Sequence, residues 1–401
     1  MDGRYSDNIG ELSPSLTLAI AARAKEMKMS GLDVIDLSAG QPDFPTPPFI
    51  CEAGREAIDR GETRYTPAAG IPQLREAIAH ELEVANGLSY SPEQVIVTAG
   101  AKQAIFNAIF CLFGREDEVL VPVPYWVSYP QMVAFSGAAI RYVETSREND
   151  FRVRRSDLEG AVTDRTRGLI LNSPNNPTGS VYSRDELHEI WSFCRRRSIR
   201  VISDEIYEKI IYDGRPFCSI AGVDREAVRD VVVVNGFSKA YSMTGWRIGY
   251  AAGPKGLIGV MGSLQSHTTS NASSISQWAA LAALEQPGRS AAVRREMMEE
   301  FSRRRKYLMD RLRGTLDLSF IDPQGAFYLF IETSRFYGRR VGDREITGSI
   351  ALCHFLLEDH GLAIVPGSAF GRDDYIRLSY AASLEDIERG IEKLERGLGT
   401  L

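Results

Sequence analysis

Lys239 follows the apolar run Val231–Val234 and stands eight positions before Arg247, in VVVVNGFSKAYSMTGWRIGY. An amine in an enclosed polar pocket gives up its proton more readily than one in water, and then forms a Schiff base with an aldehyde. A nearby arginine grips a phosphate dianion through two parallel N–H bonds, which an ammonium cannot do. Gly236, Ser238 and Gly245 surround the pair with small residues. An aldehyde and a phosphate on one small molecule suggest pyridoxal phosphate. The competing reading is a lysine on a surface loop.

Four further clusters fit the same chemistry, and each also has a plainer reading. Asp204 and Tyr207 lie in SDEIYE, just past the run Arg200–Ser203. A carboxylate beside a pyridine nitrogen keeps it protonated, so that the ring accepts electrons, and a phenol can hydrogen-bond the ring's 3′-oxygen. A strand end with a helix cap would look the same. In NSPNNPTG, Asn172–Gly179, Asn176 can donate an amide hydrogen bond to that oxygen, although Asn-Pro and Pro-Thr-Gly are also ordinary turn residues. In TAGAKQAI, Gly100 opens a helix whose free N–H groups and dipole favour a phosphate. Trp126, in PYWVSYP, can lie flat on a heterocycle or simply pack. Arg377, in YIRLSYAAS, can clamp a substrate carboxylate or form a surface ion pair. The turn SAGQPDFPTP, Ser38–Pro47, can approach the same ligand because Gly40 has no side chain.

These residues need a scaffold, and the chain predicts one. Short apolar runs at Gln94–Thr98, Glu118–Val121, Gly168–Leu171, Arg200–Ser203, Val231–Val234 and Ile248–Ala251 read as strands. Helical patterns lie between them at Ala101–Phe113, Tyr125–Phe135, Arg184–Arg197 and Ser274–Leu284. This alternation predicts an α/β fold with a mostly parallel sheet flanked by helices, whose ligands bind beyond the strands' carboxyl ends. After about residue 290 the pattern changes. A long charged helix (Arg294–Arg313), a turn (Asp322–Gly325) and a strand (Ala326–Ile331) come first. A helix (Ile346–Asp359), strands near Leu362–Val365 and Tyr375–Ser379, and a closing helix from Ser383 follow, reading as a smaller α+β domain. The basic runs Arg195–Arg197 and Arg303–Lys306 sit among glutamates and read as solvated helix faces.

At 401 residues the length fits about two domains. Against 47 basic residues stand 53 acidic ones, for a net charge of −6, which argues against a nucleic-acid or anionic-membrane binder. No stretch approaches the ~20 apolar residues of a membrane span. The five cysteines are scattered without a CxxC pair, so neither a disulfide framework nor a metal site is expected. The N-terminus lacks the basic start and apolar core of a signal peptide, which points to the cytoplasm.

In order and spacing, these motifs together resemble the fold-type-I pyridoxal-phosphate enzymes, and within them the class I/II aminotransferases of the bacterial aspartate group. The resemblance runs from about Pro14 to Lys393 and includes GETRYTPAAGIPQLREAIA, PYWVSYPQMV, NSPNNPTG, SDEIYE and SKAYSMTGWRIGYAAGP. It implies a large cofactor-binding domain over 46–290 and a small domain made of 1–45 with 291–401. It also implies that Lys239 carries the cofactor aldehyde and shuttles the proton, while Asp204 pairs with the pyridine nitrogen. Tyr207 and Asn176 would contact the 3′-oxygen, and Trp126 would stack on the ring. Arg247, Ser238 and the turn Gly100–Ala101–Lys102 would hold the phosphate. Tyr65 would reach the phosphate of a neighbouring subunit, implying a homodimer with shared sites. Arg377, helped by the Gly40 backbone, would bind the α-carboxylate.

Side-chain choice follows from a further part of the resemblance. The stretch SHTTSNASS has no arginine for a distal carboxylate, whereas Lys102 with Ser15 and Thr17 of PSLT resembles the subgroup that reads it with a lysine and hydroxyls. Lys102 at a helix start also fits a plain surface charge. Ser13 stands where relatives that accept prephenate can carry a basic residue. The expectation is transamination between L-aspartate and 2-oxoglutarate. The alternatives are an aromatic, prephenate or broad-specificity aminotransferase, a C–S lyase of the same fold, and a cofactor-binding regulator.

Overall fold

Val231, Val232, Val233 and Val234 alternate between two hydrophobic cores, the odd members facing one and the even members the other. Successive strand residues point to opposite faces, so an unbroken apolar run is the signature of a strand covered on both sides. The computed structural model describes residues 16–401. Strand β1 is Ile35–Asp36, and the central sheet is built from β2 (Val95–Thr98), β3 (Glu118–Val123), β4 (Ala139–Glu144), β5 (Thr166–Asn172), β6 (Arg200–Asp204), β7 (Val231–Gly236) and β8 (Gly249–Ala252). Their order across the sheet is β2-β8-β7-β6-β5-β3-β4. Only β8 runs against its neighbours, antiparallel to both β2 and β7. The remaining pairs are parallel.

Helices Ala101–Leu112, Ser128–Ser136 and Lys255–Thr268 cover one face of the sheet, and Pro72–Asn86, Arg184–Arg196 and Ser274–Glu285 cover the other. Ser183 starts the helix Arg184–Arg196 with a capping box, accepting from the Glu186 amide. A third core gathers Ile35 and Leu37 with side chains from the long helix Pro287–Leu316 and from the C-terminal segment. There β9 (Tyr328–Glu332) pairs antiparallel with the strand Tyr375–Ser379, which in turn pairs with Val365–Pro366. β1 lies parallel to Leu362–Ala363.

Four expectations are corrected. β4 had no counterpart, because this edge strand is largely exposed and its sequence AIRYVE carries no apolar run. The helix expected from Tyr125 begins at Ser128, which leaves Tyr125 and Trp126 in the preceding turn. The strand expected from Ala326 begins at Tyr328, since Ala326 adopts a left-handed φ of 57° and donates to the Ile210 carbonyl. Finally, Arg303–Lys306 is not wholly solvated: Arg304 is 5% and Arg305 8% exposed. Among the described residues no helix is long and apolar enough to cross a membrane.

Candidate active site

The carboxyl ends of the parallel strands deliver the site. Asn172 ends β5, Asp204 ends β6, and Ser238 and Lys239 follow β7 directly. A cavity of about 580 Å³ opens there. Its walls include Gly40, Ala101, Lys102, Trp126, Asn176, Asp204, Tyr207, Ser238, Lys239, Arg247, Arg377 and Thr17. Residues expected from distant segments are thus brought together. Gly100 lies just behind the wall as the cap of the helix Ala101–Leu112. Tyr65 is not on the wall and stands 90% exposed. Ser15 lies outside the described residues.

Lys239 donates to the Gly40 carbonyl. Burial, reinforced by the positive charges of Arg377 and Arg247, lowers its amine to about 8. It can therefore supply a neutral nucleophile near neutral pH. Asp204 is buried, and burial pushes its carboxyl up to about 6 against the opposing Tyr129 bond, the Ile206 amide and the charge of Lys239. The Tyr129 hydroxyl donates to Asp204 Oδ2 at 2.6 Å. Asn172 ties the two strand ends together: its amide donates to the Asp204 carbonyl at 2.9 Å, and its Oδ1 accepts from the Asn176 amide at 2.8 Å. The hydroxyls of Tyr207 and Tyr328 lie 2.8 Å apart.

Arg377 is fully enclosed, with its guanidinium carbon 4.4 Å from the centroid of the Tyr328 ring and 5.0 Å from that of Phe370. Nη1 donates to Asn176 Oδ1 at 3.0 Å and Nη2 to the Ser38 carbonyl at 2.7 Å. Nε has no partner. A buried guanidinium with an unmatched N–H is unfavourable unless an anion completes it. At the opposite end, Gly100 has a φ of +86°, and a Cβ there would stand 2.7 Å from Arg247 Nη2. Glycine adopts that left-handed φ without strain, and the helix N-terminus and the Arg247 guanidinium converge there, an arrangement that favours an anion. Lys102 Nζ sits 4.9 Å from the centroid of the Trp126 ring. Burial and the neighbouring Arg247 charge lower its amine.

Sequence reasoning did not single out Tyr129, Tyr328 or Asn172. Tyr129 lies inside PYWVSYPQMV and Asn172 opens NSPNNPTG, but a tyrosine on a helix or an asparagine at a strand end looks like packing or turn chemistry. The three-residue step from Trp126 to Tyr129, closed in the structure by the Tyr129 amide donating to the Trp126 carbonyl, was the available signal for the first.

A buried amine, a buried carboxylate at a strand end and two guanidinium groups share one cavity on a mostly parallel sheet, a combination suited to enzyme chemistry on amino groups. The sequence matches the family Aminotransferase class I and II over residues 32–394, and the chain belongs to that family. It is 43% identical over 393 residues to an aspartate aminotransferase of Geobacillus stearothermophilus, with 98% of each chain covered. It is also 43% identical over 393 residues to a probable aspartate/prephenate aminotransferase of Aquifex aeolicus, again with 98% of each covered. Among solved structures, aspartate aminotransferase from Thermus thermophilus with maleate superimposes with a TM-score of 0.93 at 41% identity, covering 99% of this chain and all of that one.

Proposed function

We propose that this aminotransferase moves the amino group of L-aspartate to 2-oxoglutarate, using pyridoxal phosphate. The observation that carries the reading is Arg377, whose unpartnered Nε and enclosed guanidinium share one cavity with the Lys239 amine and the Asp204 carboxylate. When bound, the cofactor supplies an electron-accepting pyridinium ring that stabilises negative charge at the substrate's Cα.

Position in the cavity supports a part for each residue. Lys239 would hold the cofactor and would carry the proton at the substrate's Cα, with an amine lowered far enough to act as a base near neutral pH. Asp204, oriented by Tyr129, faces the ring nitrogen as an anion. Asn176 and Tyr207 supply donors to the ring's 3′-oxygen, and Trp126 lies against the ring. Gly100, Ala101, Ser238 and Arg247 hold the phosphate. Arg377, with Ser38 and Gly40 beside it, takes the substrate's α-carboxylate. Lys102 and Thr17 line the same cavity, and with Ser15 we assign them to the distal carboxylate. We assign residues 46–290 to a cofactor domain and 1–45 with 291–401 to a substrate domain. Tyr65 reaches the phosphate of a second copy, so the working unit is a homodimer; its 90% exposure leaves the ring available to a partner.

The test is a visible spectrum of the purified protein before and after excess L-aspartate, with no oxo acid present. The expected result is loss of the visible cofactor band and release of oxaloacetate equal to the number of sites. A band that ignores aspartate overturns the substrate, and no band after adding pyridoxal phosphate overturns the cofactor.

A further inference from the structure

Arg304, expected in a solvated basic run, is instead committed at every nitrogen. Nη1 meets Asp43 Oδ1 at 2.7 Å, Nη2 meets Asp43 Oδ2 at 2.9 Å, and Nε meets Glu300 Oε1 at 2.9 Å. The centroids of the Phe44 and Phe301 rings lie 5.2 Å and 5.8 Å from its guanidinium carbon. Arg304 does not line the active-site cavity. Arg304 is buried while Asp43 is exposed, and an ion pair open to solvent on one side adds little net stability, so its value lies in the geometry it imposes.

That geometry is the course of residues 38–46, which form no helix or strand and have no ladder to hold their carbonyls. The Ser38 carbonyl accepts from Arg377 Nη2 at 2.7 Å, and the Gly40 carbonyl accepts from Lys239. Farther along, Thr46 Oγ1 donates to the Ser242 carbonyl at 2.7 Å and accepts from Trp246 Nε1 at 3.0 Å. At the near end, Asp36 Oδ1 accepts from the Ser38 amide at 2.9 Å and from its hydroxyl at 2.6 Å. The segment is a strap between two cores, and two of its carbonyls face two of the site's cations, Arg377 and Lys239. Between Ser38 and Thr46, the fork of Arg304 on Asp43 is its ionic fastening to the helix Pro287–Leu316.

We propose that Arg304 is a positioning residue that acts through Asp43, holding the strap so that the Ser38 and Gly40 carbonyls stay on Arg377 and Lys239. The activity part of this proposal rests on the transamination reading above; the Lys239 part does not.

The experiment compares wild type with Arg304→Met, Asp43→Asn and Arg304→Lys as full chains. It measures kcat and KM for aspartate, the melting temperature, and the pH dependence of Lys239 acylation in the cofactor-free protein, mapped by mass spectrometry. Displacement of catalytic groups by about an ångström lowers rates roughly a hundredfold. Arg304→Met is therefore expected to lower kcat/KM by about ten- to a hundredfold. It should also shift the midpoint of Lys239 acylation to lower pH, because the ammonium loses an acceptor. Asp43→Asn should move both in the same direction. Arg304→Lys should recover part of the loss, since lysine keeps the charge without the fork.

A lower melting temperature with an unchanged acylation midpoint and unchanged kcat/KM in the folded range would reduce the pair to a stabilising contact and overturn the proposal. If Arg304→Met fails to fold, an unchanged midpoint in Asp43→Asn overturns it equally. If wild type does not transaminate aspartate, the functional reading fails, while the Lys239 midpoints still decide for or against the strap.

Discussion

Replacing Tyr129 with phenylalanine removes one hydroxyl from the Asp204 carboxylate and little else. The ring keeps its edge-to-face packing on Trp126, at a centroid distance of 5.3 Å. Asp204 is pushed up to about 6 by burial, and the Tyr129 hydrogen bond at 2.6 Å is the largest opposing influence. A hydrogen bond to a charged group contributes about 1.5–3 kcal/mol, and one pH unit corresponds to about 1.4 kcal/mol. The Asp204 midpoint should therefore rise by roughly one to two pH units in the variant. Only the anion pairs with a protonated ring nitrogen, so cofactor affinity scales with the ionised fraction of Asp204.

The variant should bind pyridoxal phosphate roughly eight- to eightyfold more weakly than wild type at pH 5.5, and differ from it by no more than about a tenth at pH 9. The assay is fluorescence or absorbance titration of both cofactor-free proteins with pyridoxal phosphate at half-unit pH steps. The ratio of the two affinities cancels every proton the cofactor itself gains or loses. A ratio that stays constant with pH, or remains at one throughout, refutes the argument that Tyr129 acts through the charge state of Asp204.

Two other perturbations test separate parts of the molecule. Lys102→Met should lower kcat/KM for aspartate by at least about tenfold, the loss of a charged contact, while phenylalanine changes less than about twofold; an equal fall for both removes Lys102 from substrate choice. Glu205 is 1% exposed, its Oε1 accepts from Ser203 and Ser219, and its Oε2 has no partner. Burial raises its carboxyl to about 8, so between its ordinary range near 4.5 and pH 8 the folded protein holds a proton that the unfolded chain has released. Stability attributable to Glu205 therefore falls as pH rises through that window. Glu205→Gln, which mimics the protonated form, should exceed wild type in stability by an amount on the order of a few kcal/mol at pH 8.5 and by little at pH 4.5. Denaturant melts at the two pH values check this, and equal differences at both refute it.

Most of the cavity's polar lining was legible because its residues sit where strands end, and strand ends are marked by apolar runs breaking into polar residues. Lys239, Asp204 and Asn176 all follow that rule. Arg377 was legible only through motif order, since nothing in YIRLSYAAS distinguishes a carboxylate clamp from a surface ion pair. Tyr129 and Tyr328 escaped notice because a buried hydroxyl on an aromatic ring is indistinguishable in sequence from a ring that merely packs. β4 was missed for the opposite reason: an exposed edge strand needs no hydrophobic pattern. Arg304 shows the limit of charge-run reasoning, because it is buried and its guanidinium is paired with Asp43, a residue 261 positions away.

The antiparallel placing of β8 has a consequence for how this molecule can change. Gly236 of β7 and Gly249 of β8 are direct partners in the sheet, and a Cβ on the first would stand 2.9 Å from the Cα of the second. The loop that carries Lys239 and Arg247 therefore leaves and re-enters the sheet at one point, like a ring hung from a single nail. Arg377 and Ser38, by contrast, belong to the other core with the strap. Lys239 and Arg247 are thus fixed to the large sheet as one unit, and the Gly40 carbonyl links that unit to the strap.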